Sequence, residues 1–325
     1  MDIVDFFQGV GLMDKIRIGI SACLLGEQVR YDGGHKLSQY ATVEMAPFFE
    51  FVPTCPEMAI GMGAPRKTIR LVDNQGLIQI KSADNSVNVT EPLNQYAAEK
   101  VETMQDLGGY LLCAKSPTCG MERVSVYREG TQFAEKTGVG VFARHLMERF
   151  PLLPVEETGR LHDMAIRENF FTRIYAYEEW RQWAKKGWTA HRLTQFHARY
   201  KYLLMAHDPE GYRKLGPLLA QKSDDIDALA AQYQIGFMTV LKTQATRKNH
   251  SNTLQHIQGY FKKHITAADK AELNEAIDQY RLGLQPLLVP ITLINHHLRH
   301  FPEPYIQDQV YLNPHPQGLK LRYAF

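Results

Sequence analysis

Four cysteines in 325 residues are too few to hold a fold of this length together by disulfides. Basic residues are missing from the extreme N-terminus, where Met1-Asp2-Ile3-Val4-Asp5 is acidic, so no secretory signal is expected. The thiols are therefore expected to stay reduced, in a cytoplasmic protein. Long hydrophobic runs are missing too: the longest uncharged apolar stretch, Leu282 to Leu298, is broken by Pro286, Pro290 and two histidines and is too short to span a bilayer. There is no low-complexity linker and no internal repeat. With 44% apolar and 22% charged residues the composition is that of an ordinary globular protein, and disordered or fibrous classes are excluded.

Net charge is small, +2, but the average hides an asymmetry. Residues 1–155 carry 15 Lys and Arg against 18 Asp and Glu, and residues 156–325 carry 22 against 17. Of the 13 histidines only His35 and His145 fall in the first part, so the second is expected to become more positive in mild acid. Texture divides at the same place. The first part alternates β-rich runs (Ile16 to Ile20, Phe49 to Pro53, Tyr110 to Ala114, and hairpin strands from Ile69 to Val89) with helical ones (Leu37 to Phe49, Glu91 to Leu107, Gly138 to Phe150). That order predicts an α/β N-terminal domain with a mostly parallel sheet. After Pro151 to Pro154 long amphipathic segments follow from Leu161 to Gly283, predicting an all-α C-terminal domain. The expected domains are 1–155 and 156–325.

All four cysteines lie in the first part, and three share a setting: each follows a strand-like run beside Gly or Pro. They are Cys23 in Ser21-Ala22-Cys23-Leu24-Leu25-Gly26, Cys55 in Thr54-Cys55-Pro56-Glu57, and Cys119 in Ser116-Pro117-Thr118-Cys119-Gly120. Loops at the carboxyl ends of neighbouring parallel strands face one crevice, so the three thiols can converge there. Converging thiolates suit zinc with a bound water or an iron-sulfur cluster with one non-cysteine iron. With gaps of 32 and 64 residues and no C-x-x-C pair, three unrelated core cysteines remain open as well. Cys113, inside the apolar run Tyr110 to Ala114, reads as a buried inert thiol.

The S-A-C-L-L-G segment with Val29-Arg30-Tyr31-Asp32-Gly33-Gly34 after it, Cys55-Pro56-Glu57 with Pro65-Arg66, and Lys115-Ser116-Pro117-Thr118-Cys119-Gly120 together resemble the TudS family of thiouracil desulfidases over roughly residues 14–155. In the second part Tyr202 to His207, Asn252 to Phe261 and Tyr305 to Gln309 resemble the YbgA-like domain. The combination resembles the RudS type of tRNA 4-thiouridine desulfidase. The resemblance implies a [4Fe-4S] cluster held by Cys23, Cys55 and Cys119 with one iron free of cysteine. It also implies Glu57 and Ser116 as catalytic side chains, and tRNA containing 4-thiouridine as substrate with release of sulfide. Two other functions are weighed: desulfidation of free thiouracil or thionucleotides, and a noncatalytic RNA-binding protein with structural zinc.

Arg30 and Asp32 sit in a polar loop that is either pocket lining or a simple turn. Gly138-Val139-Gly140-Val141-Phe142-Ala143 mimics a dinucleotide fingerprint but comes at the end of the α/β unit, so a closely packed helix start is expected. Basic and aromatic residues alternate in the helical part, with Arg247 and Lys248, and Lys262 and Lys263 beside Tyr260, expected to contact tRNA phosphates. His256, His296, His297 and His300 lack regular ligand spacing and read as core or surface residues.

Overall fold

The computed structural model describes residues 15–221 and 223–322; the acidic N-terminal pentapeptide lies outside them. The chain splits into two units between Gly159 and Arg160.

The first unit is the expected α/β domain, organised by a four-stranded, all-parallel sheet of order β2-β1-β5-β8. β1 is Ile16–Ser21, β2 Phe49–Thr54, β5 Gly109–Leu112 and β8 Val155–Glu157. β8 closes the sheet beside β5, which is why the division falls a few residues beyond the expected 155. Ile18 and Ile20 of β1 and all of β5 are buried, as strands covered on both faces must be. β2 lies at an edge, where Pro53 costs no ladder bond.

A second four-stranded sheet, order β4-β3-β6-β7, was not anticipated beyond its first hairpin. β3 (Ile69–Asn74) and β4 (Leu77–Ser82) are antiparallel. They are joined by Gln75 and Gly76 at φ 54° and 89°, the paired left-handed turn that matches strand twist. β6 (Val124–Arg128) pairs parallel with β3, and β7 (Ala134–Gly138) antiparallel with β6. Leu71, Ile80 and Val124 of this sheet pack with Leu93 of α2 (Thr90–Val101) and Val141 of α3 (Val141–Arg149). The helix expected over Leu37 to Phe49 is a single six-residue wide turn, Tyr40–Met45.

The second unit is helical among its described residues. α4 is Met164–Lys185, α5 Ala190–His207, α6 Pro209–Leu219, α7 Ile226–Lys242, α8 Arg247–Gln258, α9 Ala267–Arg281 and α10 Leu288–His300. Asp163, Thr189, Asp208, Asp225, Thr246 and Thr266 each cap a helix start with a side-chain oxygen, so six of these termini are written into the sequence. The core is aromatic: Trp180 stacks on Tyr233 at 5.6 Å, and Phe196 on Tyr200 at 4.6 Å. No helix among the described residues is long and apolar enough to cross a membrane.

Candidate active site

The register of the parallel sheet sets the site. Ser21 of β1 pairs with Thr54 of β2, and Ile20 with Leu111 of β5, so three strands end level with one another. Cys23 follows in a tight turn (Ala22–Leu25), Cys55 caps the four-residue helix α1 (Pro56–Ala59), and Cys113 comes directly after β5. Cys119 closes the next loop. All four are free thiols, and all border one cavity of about 620 Å³ with Glu57 and Ser116. A pocket of that size accommodates a small ligand.

Cys113 corrects the sequence reading. It is not inside the strand, because β5 stops at Leu112 and the Cys113 amide turns to donate to Ser21 Oγ at 3.0 Å. Its thiol reaches the cavity and hydrogen-bonds Cys23. That bond holds Cys23 above the usual thiol range, with burial adding to it. The same bond draws Cys113 down to about 7 against the opposing effect of burial, helped by Lys36 and Arg30. Burial, then the Glu57 carboxylate, pushes Cys55 up to about 11 and Cys119 well above the ordinary value. Ser21 joins the strands once more, since its hydroxyl also bonds the Cys119 thiol.

Glu57 is buried in the first turn of α1. Its Oε1 accepts from Thr118 Oγ1 at 2.6 Å, and its Oε2 lies 3.5 Å from Cys55 Sγ. Arg66 stands 3.9 Å from the same carboxylate and donates to the carbonyls of Val29 and Gly63 at 2.9 and 2.8 Å. This nearly buried guanidinium ties the Glu57 turn to the 29–34 loop. Ser116 Oγ lies 2.9 Å from Thr118 Oγ1 and accepts from the amides of Thr118 and Cys119 at 3.2 and 3.1 Å. Lys115, just before it, has φ 65°, a left-handed conformation that costs a non-glycine residue of order 1 kcal/mol.

Arg30 and Asp32 are both turn and lining. Gly34 N donates to Asp32 Oδ1 at 3.0 Å, Arg30 Nε lies 3.8 Å from the same oxygen, and both side chains border the cavity. The Gly138 to Ala143 segment is the packed helix start expected. Val141 N and Phe142 N, at the head of α3, donate to the carbonyls of Pro117 and Thr118 at 3.1 and 2.9 Å, which anchors the Cys119 loop. Sequence reasoning passed over Thr118, Ser21 and the positioning part of Arg66. The first two stood inside the quoted motifs, but nothing local marks a hydroxyl as a bridge.

Chemically, four thiols from three strand-end segments border the cavity; burial keeps Cys55 and Cys119 neutral, and the Cys113 bond followed by burial keeps Cys23 so, and a soft metal group would deprotonate such thiols on binding. Among the described residues no three His, Cys, Asp or Glu side chains are placed to hold a single metal ion. Thiolates are the donors an iron-sulfur cluster takes, so the thiols present fit that group by their chemistry.

In the helical unit, Arg247 and Lys248 are exposed in the first turn of α8. Lys262 and Lys263 are exposed just past its other end, after the turn Gly259–Phe261. Tyr260 stacks on Tyr305 at 5.9 Å beside them, and Lys201 lies 5.9 Å over the Tyr305 ring. Other members of the basic and aromatic clusters serve packing: Arg192 donates to main-chain carbonyls at Trp183 and Lys186, Arg199 pairs with Glu179, and Tyr200 is buried. His296 packs ring to ring with His300 at 4.7 Å.

Comparison with known proteins follows the same division. The 2-thiouracil desulfurase family model matches residues 18–158, and the model of DUF1722, a protein family of unknown function, matches residues 201–316. YbgA of Escherichia coli (strain K12) is 35% identical over 154 residues, which is 47% of this chain and 91% of YbgA. The chain belongs to the YbgA family. Its YbgA-like domain is fused to a TudS-like, 2-thiouracil desulfurase domain. Among solved structures, the [4Fe-4S]-dependent thiouracil desulfidase TudS is 27% identical, covering 46% of this chain and 95% of its own, with a TM-score of 0.38. The desulfurase domain holds every cysteine, and the YbgA-like domain the two exposed basic pairs.

Proposed function

We propose that the chain is a [4Fe-4S]-dependent desulfidase that converts 4-thiouridine in tRNA to uridine, with the cluster held by Cys23, Cys55 and Cys119 and one iron without a protein ligand. One observation carries the reading: three thiols from three strand-end loops border a single cavity together with Glu57 and Ser116. When bound, the cluster supplies a soft Lewis acid for a thiocarbonyl sulfur, as iron-thiolate chemistry favours sulfur donors.

The chain's own residues supply the proton chemistry. Glu57, as a carboxylate, takes a proton from the water that replaces sulfur at carbon 4. Ser116, fixed by two main-chain donors, stands at the cavity wall where its hydroxyl can relay a proton to the base. Arg66 fixes the carboxylate and the 29–34 loop in one arrangement, and Arg30 and Asp32 border the space the base would enter. No electron transfer is needed, because carbon exchanges one divalent chalcogen for another.

For the YbgA-like domain we infer a tRNA-holding role. The exposed pairs Arg247/Lys248 and Lys262/Lys263, the latter beside stacked tyrosines, are what phosphate and unpaired-base contacts require. Anaerobically purified protein should carry about four iron and four acid-labile sulfide per chain. It should release sulfide from tRNA bearing 4-thiouridine with a higher kcat/KM than from free thiouracil. Stoichiometric zinc with no labile sulfide, after reconstitution, would sink the cluster. Equal or better turnover of free thiouracil would transfer the assignment to the small base that gives the desulfurase family its name.

A further inference from the structure

Counting protons along the hydroxyls beside Glu57 leads beyond the two catalytic side chains. Thr118 is fully buried, with its Oγ1 2.6 Å from Glu57 Oε1 and 2.9 Å from Ser116 Oγ. A threonine has one hydroxyl proton and an ionised carboxylate can only accept, so that proton goes to Glu57 at 2.6 Å rather than to the Cys119 thiol, which the same hydroxyl faces at 3.7 Å. Ser116 must then be the donor to Thr118. Its oxygen also accepts from the Thr118 and Cys119 amides at 3.2 and 3.1 Å, so its one proton and both lone pairs are committed. In this sense of the chain, Ser116 has no proton to offer the cavity.

We propose that Thr118 is the positioning residue that joins Glu57 to Ser116 into one reversible hydrogen-bond chain, delivering at Ser116 the proton that Glu57 receives. The assignment rests on the desulfidase reading. A proton taken from water by Glu57 makes the carboxyl a donor to Thr118. Thr118 then passes its own proton to Ser116, and Ser116 passes its proton to the substrate. One O–H bond forms and one breaks at each oxygen, Glu57 ends ionised, and the net change is one proton moved from water to the base. As Ser116 gives up its proton, two main-chain N–H groups and the Thr118 hydroxyl surround its oxygen, stabilising the charge that develops there. The loop is built to hold this alignment, because the Thr118 carbonyl is itself tied to the head of α3.

The test uses the full-length, cluster-loaded protein. Thr118→Val keeps the side-chain shape and removes the hydroxyl; Thr118→Ser restores the hydroxyl; Thr118→Ala guards against a packing failure of valine. Valine and alanine variants should keep wild-type iron and sulfide content and bind uracil as tightly as the wild type. Their kcat should fall about 10²-fold or more with KM changed less than about threefold, the size of a lost positioned proton transfer. Thr118→Ser should recover to within about tenfold of wild type. Rate plotted against deuterium fraction should bow downward for wild type and Thr118→Ser, where several protons move together, and be linear for Thr118→Val. Wild-type kcat in both Thr118→Val and Thr118→Ala overturns the proposal while leaving the desulfidase reading intact. Loss of iron in both variants overturns it as well, making Thr118 a packing residue of the cluster loop. A wild-type protein inert toward every thio-base sinks the desulfidase reading, and this assignment with it.

Discussion

Replacing Gly140 by alanine tests how closely the Cys119 loop depends on the head of α3. A Cβ built on Gly140 would sit 2.5 Å from both the carbonyl carbon and oxygen of Thr118 and 2.8 Å from the Cys119 amide nitrogen. Ordinary contact begins near 3.4 Å, so something must yield by about 0.9 Å, and every atom met is main chain. The segment that yields carries Ser116, Thr118 and Cys119. Overpacking of this kind costs about 1–3 kcal/mol, which should lower the first unit's Tm by about 3–10 °C. A shift near 1 Å at positioned groups is worth about 10²-fold in rate, so turnover should fall by that order, and bound iron should fall with it. Thermal unfolding by circular dichroism, iron per chain and sulfide release are the readouts. Gly216→Ala is the control: it lies within α6 with open space around it and, although Pro217 disfavours a Cβ just before it, should leave activity and bound iron unchanged. Gly140→Ala protein with wild-type Tm, iron and turnover would refute the reasoning.

Three further outcomes are expected. Cys23→Ala, Cys55→Ala and Cys119→Ala should each lose bound iron, whereas Cys113→Ala should keep it, as measured by iron and labile-sulfide content; iron lost only in Cys113→Ala would reverse the ligand set. Burial lowers His197 and His207 to about 4, so their neutral forms stabilise the fold above the unfolded value of ~6.5, and that stability drains away as pH falls toward 4. At pH 5 each should cost about 2 kcal/mol, so Tm should drop between pH 7 and 5, and a flat profile would count against both burials. Neutralising Arg247 with Lys248, or Lys262 with Lys263, to glutamine should weaken tRNA binding at all sequences and flatten the log affinity against log salt slope by about one per phosphate contact removed. An unchanged slope would place the RNA elsewhere.

The motifs around Cys23, Cys55 and Cys119 were legible because strand, turn and cysteine follow one another locally, and the cavity unites them with Glu57 and Ser116. Cys113 was not, because its place is decided by the pairing of β5 with β1 and by the amide it sends to Ser21, neither of which is local. The second sheet went unseen past its hairpin because β7, Ala134–Gly138, is a polar, mostly exposed edge with no alternation to detect. α10 was masked by Pro290, which sits in the first turn, where a helix needs no amide donor. The start of α8 is marked locally by Thr246, which caps it through the Asn249 amide at 3.1 Å. Histidine count overstated the acid response of the helical part, since burial keeps His197, His207, His250 and His315 from charging readily.

Because the three thiols proposed to hold the cluster stand 32 and 64 residues apart, the unfolded chain brings no two of them together locally. Sheet formation must come first. An agent that loads the site therefore meets a folded crevice rather than a nascent peptide, and the work of loading becomes a work of access. Binding would then favour the native state by its whole free energy, with little lost to iron held by unfolded chain. Iron starvation should accordingly show itself in shortened lifetime of the desulfurase domain, through proteolysis of its opened form, before any change in the helical half.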